Sequence, residues 1–114
     1  MNSELPSVDV SDVQPLRDAG ATVLDVREKD EWSAGHIRGA VHIPMHQIPA
    51  RVGVEVGLEQ PIVVVCKVGG RSAHVTAWLR GQGYDARNLD GGMLAWAVAR
   101  QPMTTEDGQP PLVY

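Results

Sequence analysis

Apolar and polar positions along the chain fall into short blocks of two kinds. The densest apolar block is Ile62-Val63-Val64-Val65, which no polar residue interrupts. A strand of that kind needs cover on both faces, as in a parallel sheet. Thr22-Val23-Leu24-Asp25-Val26 is β-branched and apolar and predicts a second strand. Shorter strands are expected over Val8-Asp9-Val10, over Ala40-Val41-His42-Ile43 up to Pro44, and over Ala86 to Leu89. Helical stretches lie between them. Ser11 with Gln14 has capping-box form and opens a short helix that carries Pro15 in its first turn and stops at Gly20. Lys29 to Ala34 makes one or two turns closed by Gly35. Pro49 opens a helix at its first position, through Ala50, Arg51 and Val52, with Gly53 and Gly57 blurring its end. Ser72 to Gln82 places Val75, Trp78 and Leu79 on one face and stops at Gly83. Asp90-Gly91-Gly92 is a tight turn, and Met93 to Arg100 is the last helix. Strands alternating with helices predict an α/β fold with a mainly parallel sheet.

Composition narrows the class. The 114 residues suit one domain, expected over residues 1–102, with the polar, Pro-rich 103–114 as a tail lying on the surface. Ten Lys and Arg against 14 Asp and Glu give a net charge of -4. That balance argues against a nucleic-acid partner, which needs a basic face, and against a polybasic membrane anchor. No apolar run approaches the ~20 residues that span a bilayer. Met1 to Pro6 carry neither a basic flank nor an apolar stretch, so no secretory leader is expected. The single cysteine, Cys66, excludes an intramolecular disulfide and a multi-cysteine zinc site, and points to a reducing cytoplasm.

Cys66 is the candidate for chemistry. It leaves the C-terminal end of the most apolar strand, the edge where α/β sheets bind ligands. The helix expected from Ser72 directs its free N–H groups back at the loop. Gly69 and Gly70 let the loop curl so that successive amides face inward as an anion nest. Lys67 and Arg71 add positive charge, Arg71 as a rigid donor fork. A helix terminus alone stabilises an anion by ~0.3–1 kcal/mol, enough to lower a thiol from ~8.5 by roughly one unit at most. Amide hydrogen bonds and Arg71 are needed to reach the reactive range. The same geometry suits a phosphatase, since protein tyrosine phosphatases have Cys, five residues, then Arg. Here four residues separate Cys66 from Arg71, and Val65 stands where that family usually has His. The shorter loop is expected to be too tight for phosphate and to admit a single sulfur atom.

Several segments together resemble the rhodanese (sulfurtransferase) family in its small single-domain form. They are Leu24-Asp25-Val26-Arg27, Glu31-Trp32-Ser33-Ala34-Gly35-His36-Ile37-Arg38-Gly39-Ala40, Val41-His42-Ile43-Pro44, Cys66-Lys67-Val68-Gly69-Gly70-Arg71-Ser72-Ala73 and Leu89-Asp90-Gly91-Gly92-Met93-Leu94-Ala95-Trp96. The resemblance implies a rhodanese-like fold, a five-stranded sheet with helices on both faces, and a catalytic Cys66 that carries a persulfide. Cys66 would take sulfur from a small anionic donor such as thiosulfate and pass it to cyanide, a thiol or a protein. The loop Lys67, Val68, Gly69, Gly70, Arg71 and Ser72 would bind donor and persulfide, with no metal or organic cofactor. The rival reading is a persulfide carrier or interaction module served by partner proteins, with little turnover of its own. Oligomeric state is left open.

The remaining polar residues are assigned supporting or structural roles. Asp25 is expected to support the site by orienting Arg71 or the loop amides, or to cap the next helix. Arg27 is expected to pair with Glu31 at the i,i+4 spacing rather than to enter the pocket rim. His36 is expected to hydrogen-bond backbone. His42 and His46 have zinc-like spacing, but Pro44 between them breaks the helix such a site needs. His74 is expected to be exposed, and Trp32, Trp78 and Trp96 to pack in the core.

Overall fold

The computed structural model describes residues 5–114; Met1 to Glu4, part of the segment in which no leader was read, lie outside the described residues. The strands are β1 (Ser7–Val8), β2 (Thr22–Asp25), β3 (Val41–His42), β4 (Ile62–Val65) and β5 (Ala86–Leu89). The helices are α1 (Val10–Asp18), α2 (Lys29–Ala34), α3 (Ile48–Glu55), α4 (Gly70–Gly81) and α5 (Gly92–Val98), with a 3-10 turn over Met45–Gln47. The strands form one sheet in the order β1-β5-β4-β2-β3, and every neighbouring pair is parallel.

β4 is central, and all four of its residues are fully buried. Side chains alternate across a strand, so β4 feeds two cores. Ile62 and Val64 join Leu24, Ile48 and Val52 of α3, and Val75 and Leu79 of α4. Val63 and Val65 join Val23, Val13 of α1, and Met93 and Trp96 of α5. Helices therefore cover both faces, which explains why β4 has no polar position.

Several local readings change: Asp9 and Val10, expected in the first strand, cap and open a helix instead, and the helix expected from Ser72 starts at Gly70. The first helix starts at Val10, two residues before the position a Ser11 cap implies, because Asp9 is the N-cap and its N–H donates to Asp12 Oδ2 at 2.9 Å. Pro15 consequently sits inside the helix rather than in its first turn. Pro49 is not the first residue of α3; the helix begins at Ile48, led in by the 3-10 turn. Trp78 is not a core residue but 38% exposed, unlike Trp32 and Trp96.

The segment 103–114 runs along the surface and is tied to it. Thr104 and His36 exchange backbone hydrogen bonds of 2.8 and 3.0 Å, and the Leu112 N–H donates to the Ala34 carbonyl at 2.9 Å. Trp96 Nε1 donates to the Pro102 carbonyl at 2.9 Å, and Met103 and Val113 pack on the second core. Gly35 permits the crossing, since a Cβ there would stand 2.6 Å from the Leu112 carbonyl oxygen.

Candidate active site

Cys66 follows the last residue of β4 at the C-terminal edge of the sheet, and only 1% of it is exposed. Its Sγ accepts a hydrogen bond from the Gly69 N–H at 3.1 Å, and Ser72 Oγ stands 3.2 Å away. Gly69 has φ +112°, a left-handed conformation in which a side chain is strained, and this bends the loop around the sulfur. Burial pushes the Cys66 thiol up. The Ser72 hydroxyl, when its proton is turned to the sulfur, and the amides of Ser72, Gly69 and Val68 act against burial, and the thiol lies below its ordinary value.

The amides point inward because the carbonyls are held outward by α5. The Met93 N–H donates to the Cys66 carbonyl at 2.8 Å, and the Leu94 N–H to the Lys67 carbonyl at 3.0 Å. A trans peptide is planar, with its C=O and N–H on opposite sides. Turning the Lys67 carbonyl toward α5 therefore turns the Val68 N–H toward the sulfur. This approach needs Gly92, at φ +57°, where a Cβ would collide with the Cys66 carbonyl oxygen. The Asp90-Gly91-Gly92 segment is thus a docking joint for the loop as well as a turn.

The helix α4 begins at Gly70, which puts Arg71 in its first turn. Arg71 Nη1 and Nη2 donate to Glu31 Oε1 and Oε2, each at 2.8 Å. The Arg71 guanidinium holds the Glu31 carboxyl down at about 2, and Glu31 in turn raises Arg71 above its usual range. Part of Arg71's charge is therefore met inside the protein.

Known proteins resemble this chain in sequence and in fold. The sequence model of the rhodanese-like domain matches residues 9–99. The chain belongs to the rhodanese family. It is 35% identical to a thiosulfate sulfurtransferase GlpE of Pseudomonas fluorescens over 109 residues, 95% of this chain and 98% of that one. It is 38% identical to thiosulfate sulfurtransferase 18 of Arabidopsis thaliana over 121 aligned positions, 94% of this chain and 89% of that one. Among solved structures, a rhodanese-related protein from Thermoplasma volcanium superposes with a TM-score of 0.83 at 28% identity, covering 89% of this chain and 99% of that one.

Within this rhodanese domain, the predicted loop residues divide. Val68, Gly69 and Ser72 converge on the sulfur, whereas Lys67 lends its carbonyl to α5 and Gly70 starts the helix. Asp25, expected to orient Arg71 or the loop amides, bonds Arg27 instead. Arg27 Nε lies 3.0 and 3.1 Å from the Asp25 carboxylate oxygens, and Nη2 donates to Oδ2 at 2.8 Å and to the Gly35 carbonyl at 2.8 Å. Both side chains are fully buried, so Arg27 neither reaches a pocket rim nor pairs with Glu31. The expected Arg27–Glu31 pair is replaced because Arg27 turns back into the sheet end, leaving Glu31 to Arg71.

The histidines also resolve. His36 Nδ1 bonds the Trp32 carbonyl at 2.7 Å, and its ring stacks on Trp32 with centroids 3.5 Å apart. His42 Nε2 bonds the Arg27 carbonyl at 2.8 Å, while His46 and His74 are exposed. Among the described residues no cluster of three or more His, Cys, Asp or Glu is gathered for a metal, and no helix is long and apolar enough to cross a membrane.

The sequence reading missed Asn88. It sits on β5 beside the loop, with Oδ1 2.6 Å from Ser72 Oγ and Nδ2 donating to the Gly69 carbonyl at 3.2 Å. The available signal was slight, an uncharged polar residue in β5 two positions before the Asp90-Gly91-Gly92 joint.

Proposed function

We propose that this rhodanese moves sulfane sulfur from a small anionic donor such as thiosulfate to a nucleophilic acceptor through a persulfide on Cys66. The Cys66 thiolate attacks the outer sulfur of thiosulfate. A new S–S bond forms, the donor's S–S bond breaks, and sulfite leaves with the electron pair. The negative charge of the resulting persulfide rests on the outer sulfur. Cyanide, a small thiol or a protein thiol in the cytoplasm then attacks that outer sulfur and returns Cys66 as the thiolate. The amides already aimed at the sulfur stabilise each anionic stage without reorganisation.

The observation that carries this reading is the nest itself, the amides of Val68, Gly69 and Ser72 turned to Sγ with the Gly69 amide at 3.1 Å. The loop length supports sulfur over phosphate, because four residues between Cys66 and Arg71 make a tighter cradle than the five of a phosphatase loop.

Steady-state thiocyanate formation from thiosulfate and cyanide tests the reading. Turnover in the wild-type chain and its loss in Cys66→Ser supports it. Stoichiometric loading with negligible turnover favours a carrier served by partner proteins. Hydrolysis of an aryl phosphate without sulfur transfer overturns it.

A further inference from the structure

Ser72 Oγ lies between two acceptors but carries one proton. On one side is Cys66 Sγ at 3.2 Å; on the other is Asn88 Oδ1 at 2.6 Å. The orientation of the Asn88 amide is set by its other end, since Nδ2 donates to the Gly69 carbonyl at 3.2 Å and so aims Oδ1 at Ser72. An amide oxygen only accepts. The shorter contact therefore takes the Ser72 proton, and a lone pair of Oγ faces the sulfur.

We infer that Asn88 is a positioning residue that acts through Ser72 and favours an uncharged Sγ. With Cys66 as a thiol, S–H donates to Ser72 and Ser72 donates to Asn88, so both contacts are hydrogen bonds. Ionise the thiol and one of the two is lost. Ser72 either keeps its proton on Asn88 and turns a lone pair to the thiolate, or donates to the thiolate and strands a buried amide oxygen. A persulfide avoids that conflict, because Sγ is then neutral and the charge sits on the outer sulfur. The relay thus raises the bare thiolate relative to both neighbouring states of the cycle, the thiol and the loaded persulfide. This extension to the persulfide rests on the reaction proposed above.

The ionisable groups on the elements around Cys66 include Arg71, His74 and Arg80 of α4, Glu31 of α2, Asp25 with Arg27 at the end of β2, Arg87 of β5, Lys67 in the loop and Asp90 after β5. Replacing Asn88 alters none of these charges.

The test is the pH profile of iodoacetamide alkylation of the reduced full-length chain, which requires no sulfur transfer. In Asn88→Ala the midpoint is expected to fall by about half to one unit, because Ser72 becomes free to donate to the thiolate. Adding Ser72→Ala to that variant returns the midpoint upward. A structural role alone predicts the opposite sign, since losing the Gly69 tether moves an amide away from the sulfur. Asn88→Leu, closer in volume, serves with the same expectation if Asn88→Ala does not fold. The rate plateau at high pH reports access to the sulfur separately. A midpoint in the folded variant at or above wild type overturns the inference. Failure of the wild-type chain to load sulfur from thiosulfate overturns the persulfide reading and leaves the midpoint as the test of the relay.

Discussion

The carboxylate of Glu31 grips the guanidinium of Arg71 through two 2.8 Å bonds, 40 residues apart in the chain. The contact ties α2 to the first turn of α4, so it fixes the loop from outside while the amides shape it from within. It also moderates the charge that the proposed anionic donor would meet.

Removing that moderation is expected to strengthen donor binding. Glu31→Gln keeps an oxygen to accept the Glu28 N–H, which the carboxylate now bonds at 3.0 Å, and frees charge on Arg71. KM for thiosulfate is expected to fall a few-fold with a smaller change in kcat. Arg71→Ala is expected to cut kcat/KM by about tenfold or more, the scale of one charge-assisted bond. Steady-state kinetics on the two variants checks both; a rise of KM in Glu31→Gln equal to that in Arg71→Ala contradicts the first expectation.

The same pair gives an acid limb to stability. Glu31 is lowered from 4.5 in the unfolded reference to about 2 in the fold. A depressed carboxyl stabilises the fold fully above its unfolded value, and that stabilisation fades as pH falls from about 4.5 toward 2. Urea unfolding of wild type and Glu31→Gln should differ by about 1–2 kcal/mol near neutrality and converge by the lower end of that window. Parallel curves across it contradict the assignment.

Gly92 and Gly70 are expected to respond oppositely to alanine. At Gly92 a Cβ meets the Cys66 and Lys67 carbonyls, at a positive φ. At Gly70 nothing lies within 4 Å and φ is not positive. Gly92→Ala should cost roughly 2 kcal/mol or more and lower Cys66 reactivity with it, whereas Gly70→Ala should shift stability by about 0.5 kcal/mol or less. Thermal melts and alkylation rates distinguish them.

The Asp25–Arg27 pair is fully buried, and Arg27 Nη1 has no partner among the described residues. Breaking such a pair strands a charge, so Asp25→Leu and Arg27→Met are each expected to cost about 3–5 kcal/mol. The double variant is expected to cost less than the two together. Denaturant titration of the four proteins makes the cycle, and simple additivity contradicts the coupling.

Most of the fold was legible because its elements have strong local signatures. The uninterrupted Ile62–Val65 block fixed the central strand, and the glycines after Cys66 marked the loop. What the pattern did not reveal is pairing at a distance. Arg27 and Glu31 have ideal helical spacing, but Arg27 precedes α2 and turns back on Asp25 instead. Asn88 looked like an ordinary strand residue, since only the parallel register of β5 beside β4 brings it to Ser72. The segment 103–114 read as a tail because its anchors are mostly backbone groups, which composition does not show.

Intact mass of the reduced chain after incubation with thiosulfate tests the central claim most directly. One added sulfur atom per chain, removed by cyanide and absent from Cys66→Ser, is the predicted result. A wild-type chain with a free Cys66 thiol whose mass thiosulfate leaves unchanged would contradict it.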